Sequence, residues 1–525
     1  MEESARGRRL ALSTAIFSLA TGLSRILGLV REIVVRRYFG VDGAGINAFT
    51  VAFQVPNLVR ALAADAALSA AFVPVFSELL DKGERERAWR VASTLFWLFL
   101  LGLGALTALL ILLAPLVIEP FGVEREQLAV TLSRILFPIV ALLGVSGIVV
   151  GILNSYEHFS VPALTPVFWN LAIIVGLVIG VPRASSETAE LYVYAGSILV
   201  GTLIQVLLPI PWLRGRDDRL RVAIDWRDPA VRRVFVLMGP VTLGIGLINF
   251  NAVVGTLFAS RLIDRNVAPA AIDAAFRIYM LPQGMFSVAV ATVLFPALAR
   301  FAARADVDGF RATVSSGIRQ IAFLLVPASA ASAVLAEPIV RLLYERGEFG
   351  ARETDVVAAA LAAFSLGLVF NGIMLMLNRG FFGLQAPWTP TLVALGNLIL
   401  SAALFAGLTA WRRDPWVIPL GISLANIAGA AALLILLRRR IGRVDFGETA
   451  RTFVRVLLAS IVLAGVAFAA WYGLDRALGR SQLAQAAALV LALATGGLAY
   501  LLACRGLGVR EMDALLSLRS RFRRA

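Results

Sequence analysis

The chain has 525 residues, 59% of them apolar and only 16% charged, with a mean hydropathy of +0.82. A soluble domain is about 45–50% apolar and about 25% charged, so composition excludes a soluble enzyme, a disordered scaffold and a nucleic-acid-binding domain. The net charge of +15 comes from 49 basic residues gathered between apolar runs, a pattern of membrane topology rather than of a nucleic-acid partner.

Runs of about 20 nearly uncharged residues, the length that crosses a bilayer, recur from end to end. They predict an all-α integral membrane protein with 14 transmembrane helices, at 10–36, 46–77, 90–117, 128–154, 161–181, 189–213, 230–260, 267–299, 309–343, 353–383, 387–410, 415–437, 449–474 and 482–504. The first run continues past Val35 and reads as a span rather than a cleaved signal. With the N-terminus in the cytoplasm, inner connections carry 30 basic residues and outer ones 13. That excess places both termini in the cytoplasm of a multi-pass protein of the cytoplasmic membrane. Two basic stretches, 214–233 with Trp226 and Val231, and the tail with Leu515, Leu516 and Phe522 among arginines, read as short amphipathic helices on an anionic inner leaflet.

A faint internal repeat follows the prolines. Pro56 pairs with Pro282, Pro74 with Pro296 and Pro166 with Pro390, at separations of 226, 222 and 224 residues. A repeat of six helices preserves orientation, so it predicts two six-helix lobes as parallel pseudo-twofold repeats, with a site between them. Residues 1–227 form the expected N-lobe and 228–440 the C-lobe. The two appended helices occupy 441–505, and a basic cytoplasmic tail occupies 506–525.

Six arginines lie inside apolar spans: Arg25, Arg31, Arg60, Arg134, Arg277 and Arg319. A central arginine costs roughly 2.5–3.5 kcal/mol to insert and usually faces a protein interior or a wet cavity. Few carboxylates offset them; Glu32 and Asp65 are the deep ones in the first two helices, and Asp273 stands near the start of the eighth. Surplus positive charge suits an anionic ligand, and the planar guanidinium fork matches phosphate oxygens. Gly22 and Gly28 bracket Arg25 and allow helix 1 to bend, and Pro56, Pro74, Pro282 and Pro296 mark further kinks. Arg134 and Arg319, nearer helix ends, read as snorkelling or internally paired, and Asn249, Asn251, Asn397 and Asn426 as interhelical hydrogen-bond glue. A single cysteine, Cys504, and a single histidine, His158, exclude an intrachain disulfide and a Cys/His metal cluster. Without a phosphate-binding loop, a nucleophile elbow or a paired set of catalytic carboxylates, the chain reads as a transporter and not an enzyme.

The motifs Leu23-Ser-Arg25-Ile-Leu-Gly28-Leu-Val-Arg31-Glu32, Phe39-Gly40, Asn47 to Arg60 through Pro56-Asn57, Ala70-Ala-Phe-Val-Pro74 and Gly151-Ile-Leu-Asn154 resemble those of the MurJ (MviN) lipid II flippases. These belong to the multidrug/oligosaccharidyl-lipid/polysaccharide exporter superfamily. The resemblance implies two lobes around a cavity and transport of an undecaprenyl-pyrophosphate-linked peptidoglycan precursor, lipid II, to the outer leaflet by alternating access. It implies substrate-binding roles for Arg25, Arg31, Arg60 and Arg277, and supporting or gating roles for Glu32, Asn47, Asp65, Gly28 and Pro56. It also implies a polyprenyl-tail groove on helices 13 and 14. The chain departs from the family pattern at Asn47 and Phe276, where aspartate is common, and in helix 7, which lacks a sodium-site aspartate. No cofactor or metal is expected, and coupling falls to a monovalent cation or the membrane potential. Expected partners are lipid II, membrane lipids and cell-wall synthesis enzymes. The alternatives are a flippase for another polyprenyl-linked glycan, a drug/cation antiporter and a non-transporting cell-wall scaffold.

Overall fold

The computed structural model describes residues 2–63, 66–217, 219–442 and 446–512. Among them the chain is helical, without strands. The first half contains α1 (Glu2–Phe39), α2 (Ala44–Ala63), α3 (Ala66–Asp81), α4 (Arg85–Leu112), α5 (Ala114–Ile118), α6 (Glu126–Leu136), α7 (Pro138–Ser155), α8 (Ser160–Gly180), α9 (Glu187–Leu207) and α10 (Pro229–Phe258). The second contains α11 (Ala268–Pro282), α12 (Val288–Ala303), α13 (Val307–Val334), α14 (Ala336–Tyr344), α15 (Ala351–Gly383), α16 (Trp388–Trp411), α17 (Val417–Ile441), α18 (Phe446–Leu478) and α19 (Gln482–Gly506).

Eleven helical stretches among the described residues are long and apolar enough to cross a membrane, and they coincide with predicted spans 3–6 and 8–14. The other predicted spans fall on α1, on α2 with α3, and on α10. Proline explains where a predicted span is divided, because it lacks an amide donor and crowds the preceding turn. The third span breaks at Leu113 before Pro115, the fourth at Phe137 before Pro138, and the ninth at Leu335 before Pro338. Pro282 ends α11 and is followed by a π turn, Gln283–Ser287, that leads directly into α12. Helix α1 is unbroken across Gly22 and Gly28.

The chain divides into two compact units, one of residues 1–261 with 265–270, the other of 262–264 with 271–525. In the first, α8 lies between α1 and α9, α7 packs on α3 and α4, and α2 packs on α6. Its core includes Phe72, Phe76, Trp89, Leu95, Ile148 and Ile152. Helix α10 belongs to this unit, packed on α2 and α3. Val231 and Val234 enter the same core, and the Phe235 ring stacks on Phe99 with centroids 6.0 Å apart. At its far end Ser260 donates to the Phe121 carbonyl at 2.6 Å, and Arg261 to those of Pro120 and Glu119 at 2.6 and 2.7 Å. The expected lobe boundary at 227/228 therefore does not coincide with the packing boundary, because both ends of α10 are anchored in the first unit.

In the second unit α15 is the central helix, packed against α12, α13, α14 and α17. Helices α18 and α19 pair tightly and lean on α13, where Tyr500 donates to the Phe323 carbonyl at 2.7 Å.

The basic stretch 214–233 is not the amphipathic helix expected of it. Its described residues up to Asp228 form an irregular strap, held because its backbone finds partners on α4. The Arg221 and Asp225 amides donate to Ser93 Oγ and Thr94 Oγ1 at 3.1 and 3.0 Å, and Trp97 Nε1 donates to the Arg221 carbonyl at 2.9 Å. Asp228 then caps α10 by accepting from the Ala230 amide at 2.7 Å. The apolar and basic residues expected on the tail, from Leu515 onward, lie outside the described residues.

Candidate functional site

Helix α1 carries the first part of the candidate site. Arg31 donates from Nη2 to Glu32 Oε1 at 2.5 Å and from Nη1 to Asn170 Oδ1 at 3.1 Å, and its guanidinium lies 4.7 Å from the Trp169 ring centroid. The side chains of Arg31 and Glu32 are 11% and 7% exposed, so the pair is largely removed from solvent. The second Glu32 oxygen stands 3.8 Å from Arg36 Nη2, one turn on. Arg36 is buried and donates to the Gly40 carbonyl at 3.4 Å. Asn170 is fixed in turn, because its Nδ2 donates to the Pro166 carbonyl at 2.9 Å and to that of Ser24 at 3.3 Å. One carboxylate thus serves two guanidinium groups, and this end of α1 keeps a surplus positive charge. The Arg31 Nε–H is buried without a hydrogen-bond partner, a donor that an anion could satisfy.

Arg25 precedes Arg31 by six residues, about 9 Å along the helix. It is exposed and makes no hydrogen bond or ion pair with any described residue. Exposed Leu23 and Ile26 flank it. Gly28, between the two arginines, faces Asn170; a Cβ there would come no closer than 3.9 Å to that side chain. Glycine is therefore not demanded by packing at this position.

Arg60 is on α2, one turn beyond the internal Pro56, but its side chain lies outside those described, as does Asp65. Asn47, at the start of α2, is buried and fully engaged. Its Nδ2 donates to the carbonyls of Val41 and Gly43, both at 2.9 Å, and to that of Asn266, while its Oδ1 accepts from the Ala270 amide at 2.9 Å. Its observed work is to clamp backbone.

In the second unit Arg277, on α11, is paired with Asp273 one turn earlier at 3.0 Å, with 35% of its side chain exposed. Phe276, where a family aspartate is often found, instead packs in an aromatic group with Tyr279 and Phe364 at centroid distances of 5.8 and 5.6 Å. Arg319 is internally paired, with Glu511 at 2.7 Å and Glu448 at 3.7 Å, and Arg134 donates to the Ile111 carbonyl at 3.3 Å.

The structure thus joins Arg31 and Glu32 directly and adds three residues that sequence reasoning passed over. Arg36 stands at the very end of the first predicted span, and the last turn of α1 carries it back onto Glu32. Trp169 and Asn170 had no sequence mark beyond their place after Pro166. An asparagine in an otherwise uncharged span is nevertheless the expected complement of a buried guanidinium. Among the described residues no group of three or more His, Cys, Asp or Glu side chains could hold a metal ion.

The family model described as lipid II flippase MurJ matches residues 35–489, a match that begins just beyond Arg25, Arg31 and Glu32. A lipid II flippase MurJ of Burkholderia cenocepacia is 31% identical over 473 residues, covering 87% of this chain and 89% of its own length. A probable lipid II flippase MurJ of Rhizobium tropici is 32% identical over 462 residues, covering 85% and 84%. Among solved structures, a lipid II flippase MurJ in an inward closed conformation aligns with a TM-score of 0.77 at 24% identity, covering 94% of this chain and 99% of that one. An inward-facing multidrug resistance MATE transporter of the MOP superfamily aligns at 0.68 with 18% identity, covering 80% and 94%. These two likenesses are of fold. The extent of the family match, with relatives above 30% identity over most of both chains, places this chain in the MurJ lipid II flippase family.

Proposed function

We propose that this chain is a lipid II flippase. It is a transporter and not an enzyme, and it moves the undecaprenyl-pyrophosphate-linked peptidoglycan precursor between leaflets by alternating access. The observation that carries this reading is the family match over residues 35–489. The protein is a multi-pass membrane protein. Its fourteen spans comprise two six-helix repeats and a final pair, it resides in the cytoplasmic membrane, and both termini are cytoplasmic, in keeping with the excess of 30 basic residues over 13 in the connections.

The pyrophosphate is received by Arg25, Arg31, Arg60 and Arg277. Support comes from the unpaired, exposed guanidinium of Arg25 and from the surplus charge around Glu32. The half-exposed Arg277, with Asp273 as its near carboxylate, adds to it. Arg31 is held in reserve: Glu32, Asn170 and Trp169 fix its orientation, and its free Nε–H adds a donor when the anion arrives. An empty carrier with net positive charge is returned by an inside-negative potential, each charge contributing about 2.3 kcal/mol per 100 mV. The membrane potential is therefore the driver we favour over a monovalent cation. Cell-wall synthesis enzymes are natural partners, since they consume the product at the outer face.

The test is outer-leaflet exposure of lipid II in cells depleted of their own flippase, comparing the wild type with Arg25→Ala and Arg60→Ala at matched expression. Restoration by the wild type and failure of both variants supports the arginine mechanism. Failure of a correctly inserted wild type shifts the substrate to another polyprenyl-linked glycan.

A further inference from the structure

Arg379 is a further arginine within a predicted span, at its inner end, where a basic residue ordinarily marks a loop. Helix α15, the central helix of the second unit, runs unbroken through it to Gly383. The guanidinium stands 5.4 Å from the Phe295 ring centroid on α12. It makes no hydrogen bond or ion pair with any described residue. The carboxylates of α15, Glu353 and Asp355, are about 36 Å or more away along the helix. The stretch from Ala274 to Ala305, which forms most of α11 and all of α12, has none. A cation stacked on an aromatic ring is oriented without being neutralised, so its N–H fork stays available to a planar anion.

The neighbours of Arg379 identify the bearer of that anion. Asn371, Leu375, Asn378 and Arg379 are half-buried and lie on one side of α15, whereas Met376, Leu377 and Phe381 are buried. Gln283, on the turn that follows α11, donates to Asn371 Oδ1 at 2.8 Å. Gln283 Oε1 and Asn378 Oδ1 accept no hydrogen bond. Amide and guanidinium groups at this density do not face acyl chains, so the stripe borders the protein's polar interior. It offers unpaired acceptors and ends on a cation. A peptide is the complement, because it offers N–H donors and carries carboxylates. Arg277 precedes Gln283 by about 9 Å along its helix, and Asn371 precedes Arg379 by about 12 Å along α15. The path between the two arginines is thus about 20 Å, within reach of a sugar followed by a short peptide at about 3.3 Å per extended residue.

We propose that Arg379 is a specificity-determining residue that binds a peptide carboxylate of the transported precursor, with Gln283 and Asn378 accepting from its peptide amides while the pyrophosphate sits at Arg277. The inference rests on the flippase reading above. It adds a contact that a polyprenyl-linked glycan without a peptide does not make.

The full chain, purified in detergent, is titrated with three ligands, and occupancy is read by native mass spectrometry. The ligands are lipid II, the same polyprenyl-pyrophosphate glycan without its peptide, and lipid II with its peptide carboxylates amidated. The wild type should bind lipid II about tenfold more tightly than either analogue, the gain expected of one charge-assisted contact. R379Q should lose that preference and bind all three as the wild type binds the analogues. R379K, which keeps the charge without the fork, should fall between. R277Q should weaken all three alike, because they share the pyrophosphate. The amidated ligand probes the contact on the unaltered chain, so the inference stays open to refutation even if R379Q is unstable. Full retention of the preference in folded R379Q overturns the role of Arg379. Equal binding of the three ligands by the wild type overturns the carboxylate contact, and the flippase reading survives if R277Q weakens them. Failure of the wild type to bind lipid II overturns both.

Discussion

Asn47 accepts the backbone amide of Ala270 through Oδ1 at 2.9 Å, joining the start of α2 to the first turn of α11 across 223 residues of sequence. The same side chain reaches the carbonyls of Val41, Gly43 and Asn266. Loss of a side chain this fully committed leaves buried backbone unpaired. Asn47→Ala should cost about 3 kcal/mol, the penalty for one or two orphaned buried groups, and lower the thermal midpoint of the purified protein. Asn47→Asp keeps the Ala270 contact but sets an oxygen against three carbonyls. That variant should lower the thermal midpoint as well, because the three carbonyls lose their donor.

Asp228 makes a different kind of clamp, at the foot of α10. Both oxygens meet Arg87, at 3.1 Å each, and one accepts from the Ala230 amide. The Arg87 hydrogen bonds, chiefly, hold the Asp228 carboxyl below its ordinary value of 3.8. A group depressed in the folded state contributes stability that is fully present above its unfolded pKa and is lost as pH falls through the folded one. Asp228→Asn preserves the helix cap and removes the ion pair. The difference in thermal midpoint between wild type and variant should therefore be constant from pH 5 to 8 and shrink below about pH 4. A difference that persists unchanged into strong acid would mean the ion pair contributes nothing.

The apolar runs made most of the helices legible, because a span of about 20 uncharged residues has few alternatives in lipid. What the runs could not show is which helices pack together. Helix α10 begins the second repeat expected from the sequence, yet Val231, Val234 and Phe235 seat it in the core of the first unit. Hydropathy carries no information about that choice, since either neighbour offers an apolar surface. The candidate site divides in the same way. Arg25, Arg31 and Glu32 stood out because charge in an apolar run is costly. Asn170 and Trp169 did not, because one asparagine among many and one tryptophan among nine acquire meaning only when α8 lies against α1. Arg36 was hidden by its position at the end of a run, where a basic residue ordinarily marks a loop.

Close approach between α15 and α17 gives a prediction independent of the arginines. Gly367 faces the Ser423 backbone so closely that an added Cβ would stand 2.7 Å from its Cα. The Ser423 hydroxyl also donates across this contact to the Ala363 carbonyl at 2.7 Å. Gly367→Ala must therefore push the two helices apart, at about 2 kcal/mol by the usual penalty for overpacking. The obstacle is backbone as well as side chain, so Gly367→Ala/Ser423→Ala should be no more stable than Gly367→Ala. Recovery of the wild-type thermal midpoint in the double variant would show that the hydroxyl alone set the spacing.

Glu32 separates structural from functional charge on α1. It holds Arg31 at 2.5 Å and stands 3.8 Å from Arg36, and both the carboxylate and Arg36 are buried. Removing one partner of a buried ion pair leaves an uncompensated charge, at a cost of about 3–5 kcal/mol. Glu32→Gln should accordingly lower the thermal midpoint more than Arg25→Ala, because Arg25 is exposed and unpaired. Lipid II exposure should rank the two differently when assayed at equal amounts of folded protein. Arg25→Ala should abolish it while leaving stability near wild type. Glu32→Gln keeps every cation and frees Arg31 from its carboxylate, so the surviving folded fraction should still bind the pyrophosphate. If Glu32→Gln proves stable and inactive while Arg25→Ala is active, Glu32 has a direct part in transport and the role given to Arg25 is wrong.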